Sequence, residues 1–232
     1  YSEEHPNYML CTAGIVYKFI EALELYGFLD IDSRLFLDCA ALGTVADIVP
    51  LNHSNRWIVK HGLEQIQQSN RYGIRALLNV SKLNAKTLTP RDIGFMLAPR
   101  LNASGRLAHA EIGVDLLSAS EYDRAEFLAE KLQELNTKRQ IIGQEMVDDA
   151  NKLIQNQSDK GGAGIVASGY MWHEGVIGIT AAKLAEKWQK PAVVISFNDE
   201  VGKGSARTFG DVNLYRILNQ CSEFFTKFGG HK

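Results

Sequence analysis

An aspartate in an otherwise small and apolar stretch is the first residue that could do chemistry. Asp47 is the one charged residue of ALGTVADIVPL, residues 41–51. A carboxylate in apolar surroundings needs a hydrogen-bond donor or a cation as its partner. Mg²⁺ and Mn²⁺ favour carboxylate oxygens. Asp47 is therefore either a metal ligand or a capping residue before Pro50, and one aspartate cannot hold a catalytic metal alone.

A second segment, APRLNASGR (residues 98–106), predicts a loop that could bind phosphate. Its proline would end the preceding helix, and its glycine would let the backbone approach a ligand closely. The planar guanidinium of arginine binds phosphate through two hydrogen bonds, and an asparagine can donate to the same oxygens. The candidate phosphate contacts are Arg100, Asn102 and Arg106. Alternatively, the arginines pair with acidic side chains of a neighbouring helix.

The third segment, GKGSAR (residues 202–207), combines two glycines, a hydroxyl and two cations. This composition is typical of a phosphate cradle, although it also fits an ordinary turn. The spacing of a Walker P-loop is absent, so ATP binding is not indicated. The candidate residues are Lys203, Gly204, Ser205 and Arg207.

Two histidines are further candidates for binding an anion or a phosphate. His173 precedes a predicted helix at Gly175, and a helix N-terminus favours anions. His231 ends a Gly229-Gly230-His231 turn, where it could donate to a phosphate. Single histidines are more often structural than ligands, so both are weaker candidates.

The secondary structure predicted to position these residues is helical up to about residue 157. An amphipathic helix is predicted over residues 8–28, and its apolar face consists of Ile15, Phe19, Ala22, Leu23 and Tyr26. Another begins at Thr89-Pro90 and is expected to end at Pro99. One long helical pattern covers residues 120–157.

Strands alternate with helices after that long helix. We predict strands at residues 164–168, 192–197 and 202–208, and a helix at residues 175–188. Asp211 is expected to cap a last helix that runs through Phe225. The sequence thus predicts an α/β protein made of a helical part, a connecting helix and a smaller α/β domain.

Composition and charge bear on the kind of ligand and on the cellular setting of the protein. The 232 residues carry 25 Lys and Arg against 27 Asp and Glu, a net charge of −2. From Lys160 onward, nine basic residues face six acidic ones, a net of +3 that mildly favours a polyanionic ligand there. No apolar run approaches the roughly 20 residues of a membrane span. The three scattered cysteines indicate a reducing, cytoplasmic setting.

Taken together, these motifs resemble one family. ALGTVADIVPL, APRLNASGR, MWHEGVIGI (residues 171–179), GKGSAR and FGGH (residues 228–231) occur in the order and rough spacing of the RecJ exonucleases. That family belongs to the DHH phosphoesterase superfamily. The similarity covers nearly the whole chain, from Cys11 to His231.

The resemblance implies a metal-dependent exonuclease that degrades single-stranded DNA from 5′ to 3′ in repair and recombination. It makes Asp47 a ligand of a two-metal site for Mn²⁺ or Mg²⁺. It assigns phosphate contacts to Asn102, Arg106, Ser205, Arg207 and His231, and a weaker one to Arg100. A helicase and a single-strand-binding protein are implied as partners.

The resemblance also divides the chain into three regions. Residues 1–119 would be the C-terminal part of a DHH domain, residues 120–158 a connecting helix, and residues 159–232 an incomplete DHH-associated domain. The Asp-x-Asp and Asp-His-His motifs that supply the other metal ligands are expected to precede Tyr1. This chain alone is therefore expected to be inactive.

Two other functions remain open from the sequence. The chain could belong to a DHH phosphoesterase of short oligonucleotides or cyclic dinucleotides, although the long connecting helix speaks against that interpretation. It could also come from a non-catalytic nucleic-acid-binding relative that has lost the metals, which the presence of Asp47 disfavours.

Overall fold

The computed structural model describes His5, residues 7–156 and residues 162–230. These residues form two compact units, Tyr1–Asn136 and Thr137–Lys232. The first is helical and the second combines helices with a small sheet, which confirms the predicted α/β class. Within the described ranges, no helix is both long and apolar enough to cross a membrane.

The helical unit is built from short helices joined by tight connections. They are α1 (Thr12–Leu25), α2 (Leu37–Ala46), α3 (His53–Gln68), α4 (Tyr72–Val80), α5 (Pro90–Asp92), α6 (Ala98–Leu107) and α7 (Glu111–Ser118). A π-helical turn at Ile93–Leu97 joins α5 to α6. The core of this unit is aliphatic and includes Ile74, Leu77, Ile93 and Leu116. The first half of the next helix, α8 (Tyr122–Asn156), completes that core with Leu128 and Leu132.

Helix α8 is the long helix that the sequence predicts. Its C-terminal half belongs to the second unit, where Asn151 accepts a hydrogen bond of 2.9 Å from the indole N–H of Trp188. A single helix thus contributes to both compact units.

The second unit contains a mixed three-stranded sheet in the order β1-β2-β3. The strands are β1 (Ile165–Tyr170), β2 (Ala192–Asn198) and β3 (Val201–Arg207). Strand β1 is parallel to β2, and β2 is antiparallel to β3. Helix α9 (Glu174–Trp188) connects β1 to β2 and packs against β2 and β3 with its buried apolar side. Helix α10 (Leu214–Gln220) follows the sheet.

Three local predictions are wrong in instructive ways. Pro99 does not end a helix, because it lies in the first turn of α6, where its missing N–H is tolerated. The last helix is capped by Asn213, whose side chain accepts from the Arg216 N–H, rather than by Asp211. It ends at Gln220, well before Phe225.

Helix α1 also buries a different side from the one predicted. Its buried residues are Gly14 and Tyr17. Of the predicted face, Ala22 and Leu23 are half-buried, and Ile15, Phe19 and the following Tyr26 are exposed. Burial from solvent, together with the charge of Glu21, raises the pKa of Tyr17 to about 12. The three-and-four spacing therefore identified a helix correctly but not the face that packs.

Candidate functional site

Asp47 lies directly after α2, at the C-terminal cap of that helix. Its N–H donates to the Gly43 carbonyl at 3.0 Å. The next residue, Ile48, has a φ of 57°, which turns the chain sharply away from the helix axis. The Asp47 side chain is exposed, so it does not need the buried partner that its apolar surroundings suggested. Its carboxylate is instead accessible to a ligand from solution.

The segment predicted as a phosphate loop is helical, and this changes which of its side chains lie together. Asn102 and Arg106 are four residues apart in α6, so they lie on the same side of the helix. Arg100, two residues before Asn102, lies on the opposite side. The sequence alone could not make this division, because Pro99 was interpreted as the end of a helix.

An open cleft of about 680 Å³ brings Asp47 together with Asn102 and Arg106. Gly105 of α6 and Gly43 of α2 also line it, and residues 11–13 at the start of α1 form another wall. Three of the predicted site residues, from two segments about 55 residues apart in sequence, therefore share one concave surface. A carboxylate, an amide and a guanidinium can together bind a cation and the phosphate that accompanies it.

The structure gives Arg100 a different role from the predicted phosphate contact. Its relative exposure is only 9%. Its Nε donates to Gln133 Oε1 at 2.7 Å, and a terminal nitrogen donates to the Met96 carbonyl at 2.6 Å. Burial lowers the pKa of this guanidinium below its usual range. Arg100 therefore links α6 to α8 through its hydrogen bond to Gln133, and it is not available to a phosphate in the cleft.

The cleft offers a divalent cation only part of a ligand set. Among the described residues, no group of three or more His, Cys, Asp or Glu side chains is placed to hold a metal ion. The chain does contain one Asp-x-Asp sequence, at Asp30–Asp32, and no Asp-His-His. Asp32, however, caps the 3₁₀ turn Ser33–Phe36 and pairs with Arg34 at 2.9 Å, outside the residues that line the cleft. Asp47 thus fits a hard cation as one ligand, and the remainder must come from outside these residues.

A second cluster of predicted residues lies on one face of the sheet in the other unit. In the register of the β2–β3 pair, Ser205 is opposite the buried Val194 and Arg207 is opposite the buried Ala192. Both side chains therefore point to the face that α9 covers. Gly178 of α9 makes room for them, because a Cβ there would lie 3.1 Å from Ser205 Oγ and 3.6 Å from a terminal nitrogen of Arg207.

Of the two glycines in GKGSAR, Gly202 is required by packing, whereas a Cβ at Gly204 would make only ordinary contacts. A Cβ at Gly202 would lie 2.8 Å from the Phe197 ring, and one at Gly204 would lie 3.6 Å from Ile195. These contacts are on the face of the sheet opposite to Ser205 and Arg207. Gly204, a weaker candidate from the sequence, therefore does not line the same surface as the serine and the arginine.

The remaining candidate residues differ in their structural surroundings. His173 is the N-cap of α9, and its Nδ1 accepts a hydrogen bond of 3.1 Å from the Gly175 N–H. Lys203 forms an ion pair with Glu174 at 2.7 Å. Gly229 and Gly230 lie outside any helix or strand, with no atom within 4 Å of an added Cβ. His231 lies outside the described residues.

Sequence reasoning missed Glu174 and Gly178, which belong to the motif MWHEGVIGI, and it missed the first residues of α1. The spacing of Gly175 and Gly178, one helical turn apart at a helix start, is a signal that a neighbour approaches closely. Nothing local marks Thr12 and Ala13 as lining residues, because only the crossing of α1 with α2 brings them to the cleft.

Comparison with known proteins places these motifs in one family. The DHHA1 domain family matches residues 161–232. The single-stranded-DNA-specific exonuclease RecJ of Bacillus subtilis (strain 168) is 38% identical over 235 residues, which cover 98% of this chain and 29% of that protein. The chain therefore spans under a third of the length of this relative.

Two solved structures agree with the sequence relationship. The crystal structure of RecJ in complex with Mg²⁺ from Thermus thermophilus superimposes with a TM-score of 0.77 at 30% identity, over 86% of this chain and 30% of that one. The structure of exonuclease RecJ bound to manganese gives 0.74 at 30% identity, over 90% of this chain and 51% of that one. From its motifs, its fold and these matches, the chain belongs to the RecJ family and carries a DHHA1 domain at residues 161–232.

Proposed function

We propose that this chain is part of a metal-dependent exonuclease that degrades single-stranded DNA from its 5′ end. The observation that carries the proposal is the cleft in which Asp47 meets Asn102 and Arg106. A carboxylate that can bind a metal ion, beside an amide and a guanidinium that can bind phosphate, supplies part of the arrangement that metal-assisted hydrolysis of a phosphodiester needs. The curated relative with this sequence pattern is named as a single-stranded-DNA-specific exonuclease.

In this proposal, Asp47 provides one carboxylate ligand for Mn²⁺ or Mg²⁺, the ions present in the two matched crystal structures. A divalent ion bound there supplies Lewis-acid activation of water and of the phosphate. Arg106 and Asn102 hold the phosphate next to it and neutralise its charge. Because these contacts are to the backbone, cleavage would be independent of base sequence.

The second unit contributes contacts to the same kind of ligand. Ser205 and Arg207 offer a hydroxyl and a guanidinium on one face of β3, where the local sequence carries net positive charge. We assign them to the DNA backbone, and His231 with them on the strength of the family motif alone. We also propose the division of the chain into residues 1–119, 120–158 and 159–232, with α8 as the connector.

We further propose that the 232-residue chain binds single-stranded DNA but does not hydrolyse it. The described residues that line the cleft include one carboxylate, and one carboxylate cannot hold two metal ions. In the longer protein, an exonuclease of this kind would act in DNA repair and recombination. We expect a helicase and a single-strand-binding protein to supply and present its substrate.

The test uses the chain itself with a 5′-labelled oligo-dT and Mn²⁺, and follows cleavage on a gel and retention by fluorescence anisotropy. We expect retention without cleavage. Arg106→Gln should weaken binding roughly tenfold, the value for a lost charge-assisted hydrogen bond. The control Arg56→Gln removes an exposed arginine of α3 that does not line the cleft, and should change binding less than about twofold.

Three results would each contradict part of the proposal. Equal losses for Arg106→Gln and Arg56→Gln would show that binding depends on net charge and not on the cleft. Cleavage that is abolished by Asp47→Asn would show that a complete metal site exists in this chain, against the proposed inactivity. Preferred hydrolysis of dinucleotides over long strands would assign the chain to the oligonucleotide phosphoesterases instead.

A further inference from the structure

An ion pair joins β3 to the first residue of α9 on the proposed DNA-binding face. Lys203 Nζ lies 2.7 Å from Glu174 Oε2. Lys203 is opposite Ser196 in the register, so its side chain points to the same face as Ser205 and Arg207. The acidic Glu174 therefore contacts a lysine on the face to which we assign backbone contacts.

Both partners of this pair remain accessible to a ligand. The side chain of Lys203 is 67% exposed and that of Glu174 is 48% exposed. Exposed ion pairs contribute little to stability, because water and salt compete effectively for both charges. A DNA phosphate can therefore replace the carboxylate as the partner of Lys203 without disrupting the fold.

We propose that Glu174 limits the affinity of this surface for single-stranded DNA, because its carboxylate competes with a backbone phosphate for Lys203. The inference rests on the proposed function, and it adds a residue that sets how strongly the strand is held. An exonuclease must let its strand advance after each hydrolysis, and a cation that exchanges between a fixed carboxylate and successive phosphates holds the strand weakly enough to move.

The test compares two substitutions that change net charge equally on one helix. Glu174→Gln removes the competitor, and Glu186→Gln removes another exposed carboxylate of α9 that is about three turns away. With oligo-dT as the probe, we expect Glu174→Gln to raise affinity roughly three- to fivefold at low salt, the upper part of the range for an exposed pair. The slope of log affinity against log salt should steepen by about 0.7, the value for one added phosphate contact to a single strand. Glu186→Gln should change neither quantity appreciably.

Lys203→Met tests whether the gain in affinity caused by Glu174→Gln depends on Lys203. Alone it should lower affinity less than about twofold, since Glu174 already occupies the lysine, and in the Glu174→Gln background it should abolish the gain. A gain that persists without Lys203, or one that Glu186→Gln reproduces, would overturn the proposal. A change in melting temperature without any change in affinity would do the same, since it would assign the pair to stability alone.

Arg207→Gln separates this inference from the proposed function. If Arg207→Gln weakens binding and Glu174→Gln leaves it unchanged, the DNA-binding face is supported and the competition is wrong. If Arg207→Gln has no effect, the assignment of this face to DNA fails, and with it the basis of the inference.

Discussion

Ala13 of α1 fills the space that a side chain at Gly43 of α2 would need. The methyl group of Ala13 lies well inside van der Waals contact of any Cβ added at Gly43. Both residues line the cleft, and Gly43 precedes Asp47 by one helical turn. The absence of one side chain thus sets how closely α1 approaches the helix that carries Asp47.

Exchanging the two residues should test this contact. Gly43→Ala overpacks the crossing, which typically costs about 1–3 kcal/mol and is only partly offset by the better helix propensity of alanine. Adding Ala13→Gly removes the clash, and the two propensity changes then nearly cancel. We expect the double variant to recover both the free energy of unfolding, measured with urea, and the affinity for oligo-dT. A double variant no better than Gly43→Ala alone would show that the crossing is not the cause.

Ile48 carries backbone strain next to Asp47. It is a β-branched residue with a φ of 57°, in a position where helices usually end with glycine. Its side chain is 88% exposed, so shortening it loses little burial. We expect Ile48→Gly to stabilise the chain by about 0.5–1 kcal/mol in urea unfolding. The control Ile48→Ala keeps a Cβ, and with it the strain, so it should give no such gain.

Arg71 and Asp38 form an ion pair in the helical unit, and the carboxylate is buried. Arg71 Nε donates to Asp38 Oδ2 at 3.1 Å, and the other guanidinium nitrogens donate to the Leu117 and Leu35 carbonyls at 3.1 and 3.3 Å. The Asp38 side chain is only 2% exposed. Removing Arg71 therefore leaves a buried carboxylate without its cation.

We expect Arg71→Met to cost about 2–3 kcal/mol in urea unfolding, toward the lower limit for a broken buried pair, because Ser69 still donates to Asp38. In the double variant Asp38→Leu/Arg71→Met, no unpaired charge remains, so the loss should be smaller than the sum of the two single losses. Additive losses would mean that the two side chains act independently.

Asp92 gives the stability of the chain a dependence on acid pH. It forms a capping box with Thr89, whose hydroxyl donates to Asp92 Oδ2 at 2.7 Å and whose N–H donates at 2.9 Å. The side-chain hydrogen bond from Thr89, followed by the backbone one, lowers the pKa of Asp92 below its ordinary 3.8. Because the folded state lowers this pKa, the stabilisation is complete above the ordinary value and is lost as pH falls through the lower, folded value.

The measurement is the urea midpoint between about pH 2 and pH 7 for the wild type and for Asp92→Asn. We expect the two curves to differ at neutral pH and to converge in acid. A companion variant, Thr89→Ala, removes the hydroxyl donor but keeps the backbone N–H, so in that background the effect of Asp92→Asn at neutral pH should be smaller. Parallel curves would contradict the assignment.

Patterns with a local cause were predictable from the sequence. The length of α8, the strands β1 and β2 and the start of α5 at Thr89-Pro90 follow from helix periodicity, β-branched runs and capping chemistry, which act within a few residues. Strand β3 has no β-branched run, so its prediction rested on weaker local evidence. The predicted face of α1 was wrong, because periodicity shows that a helix has an apolar side but not whether a neighbour covers it. The prediction for Pro99 was wrong for a related reason, since the effect of a proline depends on its position within the helical turn.

The sequence by itself determined which residues could do the chemistry. Carboxylates, amides, hydroxyls and guanidinium groups have fixed affinities for metals and phosphates, and this makes the candidates recognisable: Asp47, Asn102, Arg106, Ser205 and Arg207.

Only the tertiary structure decided which of these residues share a surface. Helix α6 turned Asn102 and Arg106 towards Asp47 and turned Arg100 into the protein. The β2–β3 register turned Ser205, Arg207 and Lys203 to one face and brought Glu174 to the lysine. Side-chain direction depends on helix phase and strand register, and those are set by packing between residues far apart in the chain.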